Sequence, residues 1–552
     1  MTAGVATADP SPKKSFQDKM LDTIEKLGNK VPHPVMMFLY LILFVIVLSA
    51  ILALFGVSVT EQIAAPVATE GVDLSYYADT TEPLSLYPSE PYDTDFEVRE
   101  ETIAVRSLLS VKGLRFIFSS FVANFAGFTV ISVTLVAMAG VGVAEQAGLM
   151  AALIRQLVKV APRRLIAFMI VFVGALSSIA SDAGYLILIP LGAAAFLTLK
   201  RHPLAGMAAA FGGVAGIFAV NILITPIDSM INEITNEAIA LTPGSPLTIT
   251  ANYFFAVVST IVISIVATVV TERMIEPRLG AYTPEDDAQA EETENAEVAA
   301  NEAKGLRYAG YGALVMLVLV VLLTLPSGAP LRDPVSGAII GNTPFMDSLI
   351  FLISLTFLVS GVCFGRGAKT IKGSNDVIGA VTKTFSGLAG LIFMFLMIAQ
   401  FIAFFNFTNM PRVAAVAMAD LLERANIGAL PLLIGFILVI VLLDFILPGV
   451  VPKWAIFAPV FIPIFFRLGV APQTVLAAYR IGDSPVNMLT PLMVYAPFIV
   501  TIAQRYQKGA GLGTVVALML PYALVILVAW IILFILWFVF GIPLGPGYPV
   551  SA

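Results

Sequence analysis

The feature that most constrains this chain is a succession of long apolar stretches along its 552 residues. Residues 35–55, 253–270 and 522–540 each reach or approach the roughly 20 apolar residues that a helix needs to cross a bilayer. Only 12% of the residues are charged, about half the density of a soluble domain, so these stretches face lipid rather than fill a soluble core. We therefore predict an all-α polytopic membrane protein.

The polar residues exclude several other classes of function. The acids that give the net charge of -6 are concentrated in two loop segments, so we expect no nucleic-acid partner. The single cysteine, Cys363, excludes an intrachain disulfide, and the two histidines, His33 and His202, are too few for a histidine proton relay. We expect no cofactor. Residues 1–32 are polar and lysine-rich, which indicates a cytoplasmic leader rather than a removable signal peptide.

Two apolar stretches are interrupted in the middle, and we predict that both are re-entrant hairpins. The first, residues 163–200, has basic residues at both ends, which the positive-inside rule places together in the cytoplasm. The second, residues 429–467, breaks at the Pro-Gly-Val-Val-Pro run of residues 448–452. A long helix with a break at mid-length follows each hairpin, at residues 204–236 and 471–505.

These features predict nine transmembrane helices and two hairpins, and most of the 31 Lys and Arg residues then lie on the cytoplasmic side. The predicted segments are a leader (1–32), a first half with helices one to four (33–275), an acidic cytoplasmic linker (276–307), a second half with helices five to nine (308–541) and a periplasmic tail (542–552). This orientation places the N-terminus in the cytoplasm and the C-terminus in the periplasm of a bacterial inner membrane.

The two halves share a short phrase at the break of each long helix. Asn221 lies in Val-Asn-Ile-Leu-Ile-Thr-Pro, which ends at Pro226, and Asn487 lies in Val-Asn-Met-Leu-Thr-Pro, which ends at Pro491. The first predicted hairpin enters from the cytoplasm and the second from the periplasm. Two such units of opposite direction are typical of inverted-repeat transporters, in which broken helices bind ions and substrate. Unpaired backbone carbonyls together with Asn, Ser and Thr side chains suit sodium. We therefore predict a sodium site near Asn221 and Asn487, with Ser181 as a further ion-coupling residue.

Four charged residues are predicted near the middle of the membrane, where isolated charges are costly. Arg480 and Asp483 are three residues apart on a helix and can pair with each other. Alternatively, the Arg480 guanidinium binds a substrate carboxylate, and Asp483 and Asp182 bind ions or protons. Lys453 is the fourth charge. Trp454, at a hairpin tip, either stacks on an aromatic ligand or packs.

Several motifs at these positions match a known family. They are AAYRIGDS at residues 477–484 with Asn487, TPLM at 490–493 and Tyr495, KWA at 453–455, and SDAGY at 181–185. In these motifs the chain resembles the p-aminobenzoyl-glutamate transporter (AbgT) family. The resemblance implies a homodimer with a cytoplasm-facing basin that transports p-aminobenzoyl-glutamate, or exports p-aminobenzoate and sulfonamide antimetabolites, by ion coupling.

The resemblance also carries functional positions to this sequence. These positions are Asp182, Trp454, Pro472, Arg480, Asp483 and Pro491. One departure concerns the second hairpin, because relatives usually have a serine-rich tip before the Lys-Trp pair and residues 448–452 contain no serine. The missing hydroxyl puts in doubt any sodium site that would use this tip.

Three other interpretations fit parts of the pattern. A sodium-coupled dicarboxylate carrier of similar hairpin architecture would take a substrate without an aromatic ring. A channel would conduct without a coupled gradient. An intramembrane aspartyl protease would need Asp182 and Asp483 to form a dyad. Within the transporter interpretation, the sequence leaves open the direction of transport and whether the coupling ion is sodium or a proton.

Overall fold

The structure is a computed structural model that describes residues 34–66, 96–180, 184–282, 296–340, 343–424, 428–445, 449–490, 493 and 495–551. The predicted leader, the linker residues 283–295 and the centres of both predicted hairpin tips lie outside the described residues. Ser181, Asp182 and Pro491 lie outside them as well, so their roles stay predictions.

The first half consists of short and long helices and one β-ribbon. Its elements are α1 (Pro34–Leu54), β1 (Ser58–Pro66), β2 (Phe96–Ala104), α2 (Val111–Ala126), α3 (Val130–Ala147), α4 (Leu149–Lys159), α5 (Ile166–Leu176), α6 (Ile189–Thr198), α7 (Pro203–Gly216), α8 (Pro226–Ile239) and α9 (Tyr253–Val270). A 3-10 turn at Ser177–Ala180 follows α5, and a π-helical turn at Gly184–Leu188 precedes α6. A π-helical turn at Thr271–Ile275 and a helical turn at Glu276–Leu279 prolong α9.

In the part of the chain that the structure describes, the second half has no ribbon and begins with two helices rather than one, and it otherwise repeats this order of elements. Its helices are α10 (Ala296–Thr324), α11 (Pro344–Ala368), α12 (Ser374–Gly387), α13 (Ala389–Phe407), α14 (Met410–Arg424), α15 (Ala429–Asp444), α16 (Val450–Arg467), α17 (Pro472–Asp483), α18 (Ala496–Tyr506) and α19 (Leu512–Val539). Each half contains the same series of elements. The series begins with a divided span (α2–α3, α12–α13) and an amphipathic helix (α4, α14). It continues with two helices joined by a break (α5–α6, α15–α16), a broken helix (α7–α8, α17–α18) and a final span (α9, α19).

The number of membrane crossings is only partly fixed by these elements. Among the described residues, eight helices are long and apolar enough to cross a membrane. The number becomes nine if the segments Leu149–Lys159 and Arg163–Ile179, which meet at a bend of 113°, form one broken span. The mostly helical membrane fold is therefore confirmed, whereas the count of nine helices and the re-entrant nature of the two hairpins stay predictions.

Equivalent helices of the two halves make equivalent packing contacts. The α5–α6 pair packs on α7 of its own half, and α6 also contacts α18 of the other half. In the same way, the α15–α16 pair packs on α17, and α16 contacts α8 of the first half. At the contact of α15 with α17, a β-carbon on Gly482 would lie 2.7 Å from Ile440 Cβ, so only glycine permits this approach. The breaks of α7–α8 and α17–α18 are thereby held together at the centre of the molecule.

Two segments have regular structure that the sequence analysis did not predict. In the polar segment after α1, β1 and β2 pair antiparallel from Ser58 with Ala104 to Pro66 with Phe96. Pairing satisfies the backbone polar groups of each strand, which the charge pattern alone does not reveal. Residues 296–307 of the predicted linker are helical, because α10 begins at residue 296 and runs as one helix into the apolar span. The bounds of the linker, residues 276–307, stay a prediction.

The turn between α6 and α7 is fixed by ionic and capping contacts. Arg201 donates from Nε and Nη2 to the two carboxylate oxygens of Glu276, at 2.8 and 2.6 Å. His202 is the N-cap of α7, and its Nδ1 accepts a hydrogen bond from the backbone N–H of Leu204 at 3.3 Å. Burial lowers the pKa of the His202 imidazole, although the nearby charge of Glu276 opposes this effect. The end of the first predicted hairpin is thus tied to the end of α9.

Candidate substrate and ion site

The first break, residues 217–225, is held against the 3-10 turn that follows α5. The Asn221 side chain is buried, and its Nδ2 donates to the carbonyl oxygens of Ala175 and Leu176 at 3.0 and 3.2 Å and to Ser178 Oγ at 2.9 Å. Asn221 Oδ1 accepts from the backbone N–H of Leu223 at 3.0 Å. Asn221 therefore adds hydrogen bonds to carbonyl groups at the C-terminal end of α5, where the helix itself supplies few backbone donors.

The helix restarts after this break because the local sequence is a helix-starting signal. Pro226 is the first residue of α8, and Thr225 is the N-cap. Thr225 Oγ1 accepts from the backbone N–H of Asp228 at 3.2 Å, while Asp228 Oδ2 accepts from the backbone N–H of Thr225 at 2.8 Å. This reciprocal pair is a capping box, and it fixes the Asp228 carboxylate at the break.

The two breaks are joined by Arg480 and Ser484 of the second half. Arg480 Nη1 donates to Asp228 Oδ1 at 2.5 Å and to the carbonyl oxygen of Ala219 at 2.7 Å. Ser484 Oγ accepts from the backbone N–H of Ala219 at 3.1 Å. Arg480 is buried, and its Nε has no hydrogen-bond partner among the described residues. The unwound segment of the first half is thus bound directly to the end of α17.

Of the two alternatives for Arg480, its pairing with Asp483 is not what the structure has. Arg480 pairs across the repeat with Asp228, and Asp483 Oδ1 instead lies 2.9 Å from Lys453 Nζ. The ammonium group of Lys453 also contacts Asp444 Oδ1 at the end of α15. The side chains of Asp444, Lys453 and Asp483 are all fully buried. A helical spacing of three allows two side chains to meet, but the neighbouring helices here offer closer partners.

Trp454 packs within the protein, which was one of its two predicted alternatives. Its ring stacks on Tyr479 with a centroid distance of 4.4 Å, and its Nε1 donates to Thr235 Oγ1 at 2.9 Å and to the carbonyl oxygen of Ile231 at 3.2 Å. The indole is fully buried in this arrangement. Trp454 therefore connects α16, α8 and α17 beside the charged cluster.

The other predicted residues lie around the same junction. Asn487 is half-buried in the turn after α17, where its backbone N–H donates to the carbonyl oxygen of Ser484 at 3.2 Å. Pro472 is the first residue of α17, as Pro226 is of α8, so both prolines start helices rather than kink them. Among the described residues, no group of three or more His, Cys, Asp or Glu side chains is arranged to hold a metal ion. The sodium site near Asn221 and Asn487 stays a prediction.

Sequence reasoning missed three features of the site. Asp228 reads as an ordinary capping residue, and nothing in the sequence shows that its second oxygen meets Arg480. The sequence did contain a sign that Asp444 is functional, since it is the only charged residue in the apolar helix α15. Tyr185 and Tyr495 stack at a centroid distance of 4.5 Å and so place an aromatic pair between the first predicted hairpin and the start of α18.

Comparisons with known proteins agree with this architecture. The model of the AbgT putative transporter family matches residues 19–552. The chain is 33% identical to the p-aminobenzoyl-glutamate transport protein of Escherichia coli K12 over 540 residues, which are 98% of each chain.

Two solved structures are similar along almost the whole length. The YdaH transporter of Alcanivorax borkumensis matches with a TM-score of 0.82 and 34% identity, over 93% of this chain and all of that one. MtrF of Neisseria gonorrhoeae, described among antimetabolite efflux pumps, matches with a TM-score of 0.81 and 37% identity, over 96% of this chain and all of that one. These relatives are transporters, and the intramembrane protease interpretation is not supported. The chain belongs to the AbgT family of transporters.

Proposed function

We propose that this chain is an ion-coupled secondary transporter of the inner membrane that carries p-aminobenzoyl-glutamate or exports p-aminobenzoate and sulfonamide-type antimetabolites. The observation that carries the proposal is the junction of the two breaks, at which Arg480 of α17 binds Asp228 and Ala219 of the first half. Unwound backbone at membrane depth is tolerated where it lines a cavity or binds a ligand. Two such segments joined through a buried arginine are suited to hold an anionic substrate.

The Arg480 Nε–H group, which has no acceptor among the described residues, supports a carboxylate substrate. A guanidinium group forms its strongest pairs with carboxylates through two parallel N–H groups. A substrate carboxylate at this point would accept a hydrogen bond from Nε, while Asp228 keeps Nη1. The stacked rings of Tyr185 and Tyr495 offer an aromatic surface of the kind on which a p-aminobenzoyl ring packs.

The proposed function also requires a coupling ion and residues that bind it. We assign sodium or proton coupling to Asp483 and Asp182, with Ser181, Asn221 and Asn487 as further candidates, because polar and ionisable groups at this depth mark ion pathways. We further propose that the protein is a homodimer with its N-terminus in the cytoplasm and its C-terminus in the periplasm.

Transport in liposomes tests this function. Purified protein is reconstituted, and labelled p-aminobenzoyl-glutamate and p-aminobenzoate are followed under a sodium gradient, a proton gradient and no gradient. We expect gradient-driven accumulation of at least one compound, lost in Asp182→Asn and Asp483→Asn. Asp347→Asn, which changes an exposed carboxylate in the first turn of α11, is the matched control and should transport normally.

The substrate assignment fails if folded protein moves neither compound under any gradient. It also fails if movement is the same with and without a gradient, because a channel would then explain the flux. Uptake of labelled dicarboxylates in place of the aromatic compounds would favour the dicarboxylate carrier.

A further inference from the structure

Three buried charges on three helices form a cluster next to the junction. Asp444 ends α15, Lys453 lies in the first turn of α16 and Asp483 ends α17, so one ammonium group lies between two carboxylates. One oxygen of each carboxylate contacts the ammonium group of Lys453. The second oxygens, Asp444 Oδ2 and Asp483 Oδ2, are buried and have no hydrogen-bond partner among the described residues.

The charge of this cluster is not balanced. With all three groups ionised, two carboxylates and one ammonium leave one negative charge without a counterion among fully buried side chains. The Tyr479 hydroxyl does not change this count, because it is neutral and donates to the carbonyl oxygen of Val450 at 2.5 Å, with Asp483 Oδ1 farther away at 3.4 Å. A buried charge that is neither paired nor hydrogen-bonded is strongly unfavourable, so one further positive charge is required.

We propose that Asp444, Lys453 and Asp483 form the coupling site of this transporter, and that the coupled ion is a proton held by the second oxygens of the two carboxylates. The inference rests on the function proposed above and deepens it. Lys453 acts as a tethered cation that fills the space between the carboxylates. A sodium ion at the same place would lie within a few ångströms of the ammonium and be repelled by it.

The proton step balances without another reactant. A hydronium ion on one side of the membrane gives one proton to Oδ2 of Asp444 or Asp483 and becomes water, and the cluster changes from one net negative charge to none. The same proton leaves to water on the other side, and the negative charge returns. Neutralisation removes the need for a counterion while the substrate crosses.

Other charged groups nearby do not supply the missing charge. The Lys453 ammonium group contacts the carboxylates of Asp444 and Asp483, and the Tyr479 hydroxyl lies 3.4 Å from Asp483 Oδ1. Arg480 is paired with Asp228. The remaining charged side chains with described positions on the helices packed against the cluster are Glu233 and Glu237 on α8, Arg412 on α14 and Arg467 at the end of α16. Helices α13 and α19, which also pack against it, carry no charged residue.

The first test compares driving forces for labelled p-aminobenzoyl-glutamate and p-aminobenzoate in proteoliposomes. We expect a proton gradient to drive accumulation in the wild-type protein and a sodium gradient at equal pH to have no effect. Asp444→Asn leaves Lys453 paired with Asp483 in a neutral cluster of unchanged size. This variant should still exchange labelled for unlabelled substrate across the membrane but should lose accumulation driven by the proton gradient. Asp347→Asn should keep both activities.

The second test measures ion binding directly. Substrate addition to purified wild-type protein in weakly buffered detergent should change the pH through uptake or release of protons, and Asp444→Asn should lose this signal. Lys453→Ala removes the tethered cation and should gain binding of radioactive sodium, which the wild-type cluster excludes. If Lys453→Ala does not fold, the proposal is judged by the Asp444→Asn result alone.

The inference is overturned if a sodium gradient alone drives accumulation in the wild-type protein, or if Asp444→Asn accumulates substrate under a proton gradient as the wild-type protein does. Failure of the proposed function gives a different result, because neither compound would then exchange across the membrane in any variant.

Discussion

Replacing Asp228 by asparagine removes the negative charge that holds Arg480 at the junction of the two broken helices. The oxygen Asp228 Oδ1 lies 2.5 Å from Arg480 Nη1, and the two side chains are 14% and 3% exposed. Loss of one partner of a buried ion pair costs about 3–5 kcal/mol of folding free energy. Arg480 keeps its hydrogen bond to the Ala219 carbonyl, and the asparagine oxygen still accepts a hydrogen bond, so we expect a cost at or below the lower end of this range, about 2–3 kcal/mol.

The assay is unfolding in mixed detergent micelles, followed by circular dichroism, for the wild-type protein, Asp228→Asn, Arg480→Gln and the double variant. The double-mutant cycle should give a coupling of about 2 kcal/mol, because neighbours that share one ion pair are not additive. Glu302→Gln is the matched control. It breaks the partly exposed pair with Arg155 and should cost no more than about 1 kcal/mol. A cost of Asp228→Asn no larger than that of Glu302→Gln, or a coupling near zero, refutes the reasoning.

Three further outcomes follow from the geometry. Trp454→Phe keeps an aromatic ring next to Tyr479 but loses the hydrogen bonds to Thr235 and to the Ile231 carbonyl, and should lower the free energy of unfolding by about 1–2 kcal/mol in the same assay. Gly482→Ala should cost about 1–3 kcal/mol through overpacking, whereas Gly435→Ala, whose new methyl group meets no atom within 4 Å, should be neutral or stabilising. Because burial lowers the pKa of His202, the unfolded chain binds the extra proton more readily. Stability should therefore be complete above the ordinary histidine pKa and decline as the pH falls below it, a dependence that His202→Asn abolishes while keeping the cap.

The elements of the fold were largely predictable because hydropathy and helix-breaking residues act locally. The apolar stretches became helices, the interruptions at residues 177–184 and 448–454 fall between α5 and α6 and at the start of α16, and the amphipathic residues 142–160 and 411–426 contain α4 and α14. The paired backbone of the β-ribbon was missed because its strands lie in a polar segment, where no hydrophobic alternation marks them.

The partners within the site were less predictable, because they depend on contacts between the two halves. Arg480 is three residues from Asp483, yet it binds Asp228, which comes close only when the two breaks meet. Lys453 is likewise satisfied by Asp444 and Asp483 on two other helices. Sequence spacing describes neighbours on one helix, whereas these pairs are set by the packing of several helices. A lone carboxylate in an apolar helix, as at Asp444, was the signal available in the sequence.

The most direct test of the central claim is substrate protection of a cysteine in the first break. Leu223 lies in this break with 52% of its surface exposed, and the single native cysteine, Cys363, can be replaced by serine. In protein shown to transport labelled p-aminobenzoyl-glutamate or p-aminobenzoate, the reaction of Leu223→Cys with a small thiol reagent is measured with and without a saturating amount of that compound. We predict slower labelling in its presence, and unchanged labelling of Ser386→Cys on α12. Equal labelling of Leu223→Cys under both conditions would contradict the claim that the junction of the broken helices holds the substrate.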